Sequence, residues 1–316
     1  MRTVVMGILV VSALALAACT SGETEAFDGT EPFDDAESFD DTTEVDDTAQ
    51  VEQPEDNIDL TLTRDDVDCS PEAVGGDGTD FSTVHVVVDG ILGTTCLGSE
   101  DATLYAAWEA LATIAPTTAR SDLALFGGFS GGDDGEEVTL AFVNALDDDG
   151  TVFQMSINLA SFEDDENEAY LTVAHEFSHV FTLGSTQIDR VALAEECETF
   201  DNGEGCFYND ALMAQWVELF WTDQMLSDFD STQEATSEIG APRCELNPEF
   251  LGPYAASSPD EDFAETFAAF VFGVEVDPAL DPKVEWMAAQ PGLVEFRDRA
   301  EAAGLTPLDN GFELCG

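Results

Sequence analysis

Two hydrophobic periods run along this chain, and the switches between them mark out its elements. Residues 84–88 are a β-branched run and predict a strand, while Ala102–Ile114 carries Leu104, Trp108 and Leu111 at helical spacing and 121–126 reads as a second strand. Segments 138–143 and 152–159 then predict a hairpin around the turn Asp147-Asp148-Asp149-Gly150. From 165–167 to Gly184, apolar residues at Tyr170, Leu171, Val173, Ala174, Phe177, Val180 and Phe181 surround nearly the whole circumference of a helix, so that helix is expected to be buried. Further helices are expected near 210–226, over 259–268, and as two short pieces after Val276 bounded by Pro278, Pro282 and Pro291. The class is α+β, with a mixed sheet and a buried helix followed by a mainly helical C-terminal lobe.

Three polar residues interrupt the buried helix: His175, Glu176 and His179. Burying two imidazoles and a carboxylate costs on the order of several kcal/mol unless they are paired or bind a metal. His175 and His179 are four apart and share one helical face, so both rings can grip one ion. Glu176 lies about 100° round the helix, within reach of a water that such an ion acidifies. His-Glu-x-x-His is short enough to arise by chance, and a third donor is needed to give it meaning.

An elongated motif with Gly at 182 and His at 185 would supply that donor nearby, but the chain has Thr182 and Ser185. His85, the remaining histidine, lies in an apolar strand and reads as a sheet residue. A later helix offers Glu261 and Glu265, four apart, with Phe263, Phe267 and Phe270 available for packing. The spacing alone leaves open which of the two carboxylates binds, and both could instead line a solvated helix face.

Tyr254, followed seven residues later by Glu261-Asp-Phe-Ala-Glu265, together with the His-Glu-x-x-His helix, resembles the gluzincin peptidases and among them the lethal-factor-like group. The resemblance implies a zincin-like fold, Zn2+ held by His175, His179 and Glu261, and Glu176 as general base. It also implies Glu265 as partner of a ligand histidine and Tyr254 as the phenol that stabilises the oxyanion. In that family the substrate lies along an edge strand beside the metal helix, and 152–159 is the expected strand because it immediately precedes that helix. The chain departs from the group in the length of segment 180–260 between His179 and Glu261.

Composition sets where such a site would act. Residues 1–19 run from Arg2 through an apolar stretch to Leu16-Ala17-Ala18-Cys19, the layout of a secretory signal whose end resembles a bacterial lipobox. The expectation is export, with Cys19 lipidated (palmitate included) at the outer face of the membrane; an ordinary cleaved signal is the alternative. Cys69, Cys96, Cys197, Cys206, Cys244 and Cys315 then form an even set suited to an oxidising compartment. Proximity favours Cys69–Cys96 and Cys197–Cys206, leaving Cys244–Cys315.

Residues 20–58 hold 15 acidic and no basic side chains, spaced by Phe27, Phe33 and Phe39, and are expected to be an extended acidic linker. The remaining expected divisions are an α+β lobe over 59–184, a disulfide-containing insertion over 185–250 and a helical lobe over 251–316. A net charge of −60, from 68 acidic against 8 basic residues, argues against nucleic acid as a partner and against a membrane contact beyond the anchor. Asp133-Asp134-Gly135 lacks EF-hand spacing and reads as a turn. These readings converge on a zinc endopeptidase acting on peptides or proteins outside the cytoplasm. A non-catalytic zinc-binding envelope module, or a metal-free one whose histidines are core residues, are the alternatives.

Overall fold

A computed structural model describes residues 57–75, 79–131 and 138–315. The expected signal with Cys19, nearly all of the acidic linker, and the turn Asp133-Asp134-Gly135 lie outside the described residues.

Strands β1 (Phe81–Val88), β2 (Ile91–Gly98), β3 (Leu123–Phe129), β4 (Ala141–Ala145) and β5 (Phe153–Asn158) form one sheet in the order β2-β1-β3-β5-β4. Only β3 and β5 run parallel. Strand β2 was not foreseen, although its signal is local. Asp89-Gly90 joins β1 to β2 with φ of 50° and 77°, the left-handed pair of a tight hairpin turn.

One face of the sheet carries Val84, Val86 and Leu125 and is covered by the short helix α1 (Pro71–Val74), tied down by Cys69–Cys96. The other face meets α2 (Ala102–Ile114), whose first turn is capped by Asp101, and the helix that bears the two histidines. His85 is buried in the sheet as expected, with Nδ1 2.9 Å from the Gly93 carbonyl and Nε2 3.2 Å from the Thr95 hydroxyl. The fold already includes Asn57, whose carbonyl accepts from Trp108 Nε1 at 2.8 Å.

Two expectations need correction here. The segment at 152–159 is not an edge: β4 folds back on it in antiparallel register, Ala145 opposite Phe153 and Ala141 opposite Ile157, so β5 is enclosed and β4 is the terminal strand. The helix expected near 210–226 is two, α5 (Leu212–Phe220) and α6 (Asp223–Ser227), after α3 (Leu159–Asp164) and α4 (Glu166–Thr182). The break falls where Thr222 turns extended and its hydroxyl caps Met225 N–H at 3.3 Å.

Helices α7 (Ser237–Leu246), α8 (Pro259–Phe272), α9 (Asp281–Ala288) and α10 (Pro291–Ala302) complete the helical part, and two-residue strands at Ile188–Asp189 and Cys206–Phe207 pair within segment 185–250. Helix α8 packs along α4, and α10 closes over both α8 and α2. Arg299 on α10 donates to the last carbonyls of α2, at Ala112 (2.9 Å) and Thr113 (3.2 Å), where a cation is favoured.

Candidate metal centre

Asp165 ends α3 and starts α4, accepting from Asn167 and Glu168 N–H at 2.8 and 3.2 Å. This cap fixes the phase of α4, so that His175 and His179 face α8 with ring centroids 5.2 Å apart. Ser258 caps α8, its hydroxyl accepting from Glu261 N–H at 3.2 Å, and Pro259 sits in the first turn. Gly273, at φ 61°, ends the helix. Phe181 on α4 meets Phe263 and Phe267 on α8 at 6.3 and 5.3 Å, so aromatic packing holds the two helices together beside the polar residues.

Glu261 is the third residue of its helix, where a carboxylate often turns back to its own N-cap. Here it reaches across instead. Its Oε2 lies 2.9 Å from His175 Nε2 and 3.7 Å from His179 Nε2. His175, His179 and Glu261 are 5%, 2% and 3% exposed, so water does not satisfy them. Those three atoms find no conventional hydrogen-bond partner elsewhere, and one donor atom from each residue lies within 4.8 Å of the others. Three buried polar atoms converging on one point fit a shared metal ion. Among the described residues this is the one such group of His, Cys, Asp and Glu.

The charges agree with that convergence. Burial opposes a charge on His179, but the Glu261 carboxylate beside it more than offsets this and raises the ring to about 9. Burial likewise opposes ionisation of Glu261, yet the two imidazoles hold it down to about 2. A site that stabilises a carboxylate against two rings is poised for a cation.

Glu176 is wholly buried on α4, and its charge is felt at His179. Tyr254 is also buried, with its ring 5.9 Å from that of His175, in a turn that leads directly into α8. Glu265 is buried one turn further along α8. Its carboxylate accepts from the Ala255 backbone N–H, and burial pushes it well above the ordinary carboxylate range. That contact ties Glu265 to the turn that carries Tyr254.

Two neighbours were not singled out from the sequence. Ser258-x-x-Glu261 is a helix-start signature that would have fixed the phase of α8. Asp260, raised to about 7 by burial against the opposing influence of His179, accepts from Asn202 Nδ2 at 3.1 Å. Asn202 belongs to the loop closed by Cys197–Cys206, where Arg190 and Glu204 also form an ion pair. The structure pairs Cys244 with Cys315 as well, giving the three bridges expected.

No family model matches this chain, and no curated protein matches it. One solved structure, a protein from Bacteroides caccae assigned as a zinc-binding metallo-peptidase, is similar at 14% identity with a TM-score of 0.26. The match covers 63% of this chain and 66% of that one, a little under two thirds of its length.

Proposed function

We propose that this chain is a zinc-dependent endopeptidase, with His175, His179 and Glu261 as metal ligands. The observation that carries this reading is the convergence of two imidazole nitrogens and one carboxylate oxygen, all buried and otherwise unsatisfied. Two histidines and a glutamate, with a further position left for water, make a donor set suited to catalytic zinc. Zinc held there would polarise the scissile carbonyl and acidify water.

The chain's own residues do the rest. Glu176, adjacent to the first ligand, takes the proton from the attacking water and passes it to the leaving amine. Tyr254, beside His175, donates to the carbonyl oxygen as it gains negative charge. The terminal strand β4, alongside α4, supplies backbone groups for an extended peptide. Three disulfides favour an oxidising compartment. No described helix is long and apolar enough to cross a membrane. Export through 1–19 with a lipid on Cys19 is the route we propose.

Metal analysis of the purified protein and turnover of a mixed peptide library test the reading together. One zinc per chain is expected, with cleavage by the native protein and none by Glu176→Gln. Full cleavage by that variant removes Glu176 as the base, and absence of metal removes the peptidase reading.

A further inference from the structure

Asp262, next to the third donor on α8, is held by more partners than any ordinary helix carboxylate needs. It is fully buried. Its Oδ2 accepts from Trp216 Nε1 at 3.0 Å and from Trp221 Nε1 at 2.9 Å. Lys283 Nζ lies 2.6 Å from Oδ1 and 2.8 Å from Oδ2, donates to the Glu249 carbonyl at 2.5 Å, and stands 4.4 Å from the centre of the Phe250 ring. Trp216 comes from α5, Trp221 from the break that follows it, and Lys283 from α9. Three separate segments therefore grip one side chain.

Stability alone explains this poorly, because a buried ion pair recovers its desolvation cost only with excellent geometry and is often replaceable by apolar residues. Position explains it better. Consecutive residues on a helix point about 100° apart, so fixing the azimuth of Asp262 fixes that of Glu261. Ser258 sets the start and phase of the helix, and the grip on Asp262 anchors that phase against α5 and α9.

We propose that Asp262 is a positioning residue: held by Trp216, Trp221 and Lys283, it aims Glu261 at His175 and His179. Segment 185–250 thereby becomes part of the metal centre's support, since both indoles belong to it. The inference rests on the metal-site reading given above.

Zinc affinity, measured by competition with a chromophoric chelator, and the absorption bands of the cobalt-substituted protein test it without reference to turnover. Trp221→Phe keeps an aromatic ring against Phe250 and removes one donor; Asp262→Asn removes the charge. Trp286→Phe is the control, because Trp286 packs on Trp216 and Phe263 at 5.4 and 6.4 Å and makes no bond to Asp262. Loss of a group that orients a ligand typically weakens metal binding about 10- to 100-fold, which is the expected result for Trp221→Phe and Asp262→Asn, with shifted cobalt bands. Trp286→Phe should leave both readouts unchanged. Native affinity in folded Trp221→Phe, or an equal loss in Trp286→Phe, overturns the proposal, and Trp221→Phe decides alone where Asp262→Asn does not fold. Failure of the unaltered protein to bind zinc would overturn the metal centre itself.

Discussion

Oε2 of Glu261 lies 2.9 Å from Nε2 of His175, across the contact between α8 and α4. The whole disulfide-bearing segment separates these residues in the chain, so the contact exists only in the folded protein. Metal affinity is thus folding energy, since no unfolded chain presents the trio.

The first prediction follows directly. At zinc about 1,000-fold above Kd, binding to the native state alone stabilises by about 4 kcal/mol. For a domain of this size that is a rise in Tm of roughly 8–16 °C. Glu261→Gln should lose most of that rise while the metal-free Tm stays measurable. Equal zinc-induced shifts in the two proteins, read by calorimetry, would exclude Glu261 as a ligand.

Tyr254→Phe separates chemistry from assembly. The ring remains, so packing against His175 persists, but the phenolic donor is gone. Loss of one donor to a developing oxyanion costs about 100- to 1,000-fold in kcat. The variant should show that loss with KM and zinc content unchanged; full kcat would make Tyr254 a packing residue.

How much of this was legible in the sequence depends on the kind of order each residue obeys. His175, Glu176 and His179 were legible because helical spacing alone places them, whereas spacing left Glu261 and Glu265 equal and only the resemblance to the gluzincins pointed to Glu261. Glu265 was legible only in part. Its spacing gives a face of α8, but only the fold brings the Ala255 N–H to that carboxylate. Strand β2 was overlooked because Gly93, Thr94 and Thr95 dilute its apolar pattern, while the Asp89-Gly90 turn carried the signal. The interior place of β5 was illegible, since a strand's neighbours in a sheet are long-range facts. Asp262 carries no signal of its own in the sequence, because Trp216, Trp221 and Lys283 reach it from separate segments.

Gly240 on α7 makes a sharper test of the turn that presents Tyr254. A Cβ at that position would stand 1.7 Å from the Pro253 carbonyl oxygen and 2.7 Å from Ser257 N, both backbone atoms. Neither can swing aside. Gly240→Ala must therefore move α7 or the 253–257 turn, at a cost of roughly 1–3 kcal/mol. Reduced Tm together with reduced kcat is expected, and a variant with native values of both would show that the turn yields freely.

The disulfides should differ in weight. Cys244–Cys315 closes a sequence separation of 71 and Cys197–Cys206 one of 9. In the loop-entropy account these correspond to roughly 4 and 3 kcal/mol. The longer bridge also holds the tail against the site, where the Glu313 carbonyl oxygen is 2.1 Å from the place a Cβ on Gly252 would take. Replacing Cys244 and Cys315 by Ala should lower Tm more than replacing Cys197 and Cys206, as well as reducing turnover. The reverse order of Tm losses would show that the short loop, not the tail, is the greater constraint.

His85 supplies a pH signature remote from the metal. Burial holds its ring below the ordinary 6.5, against the pull of the Gly93 carbonyl and the Glu100 charge. The neutral form fits its surroundings, with Nδ1 donating to that carbonyl and Nε2 accepting from the Thr95 hydroxyl. Because the folded pKa lies below the unfolded one, the unfolded chain binds more protons in this range, and stability rises with pH. The contribution is fully present above pH 6.5 and is lost as pH falls through the folded pKa. Down to about pH 5, above the main carboxylate range, the metal-free native protein should lose Tm more steeply than metal-free His85→Gln, whose side chain does not titrate. Parallel curves for the two proteins would show that His85 keeps its unfolded pKa in the sheet.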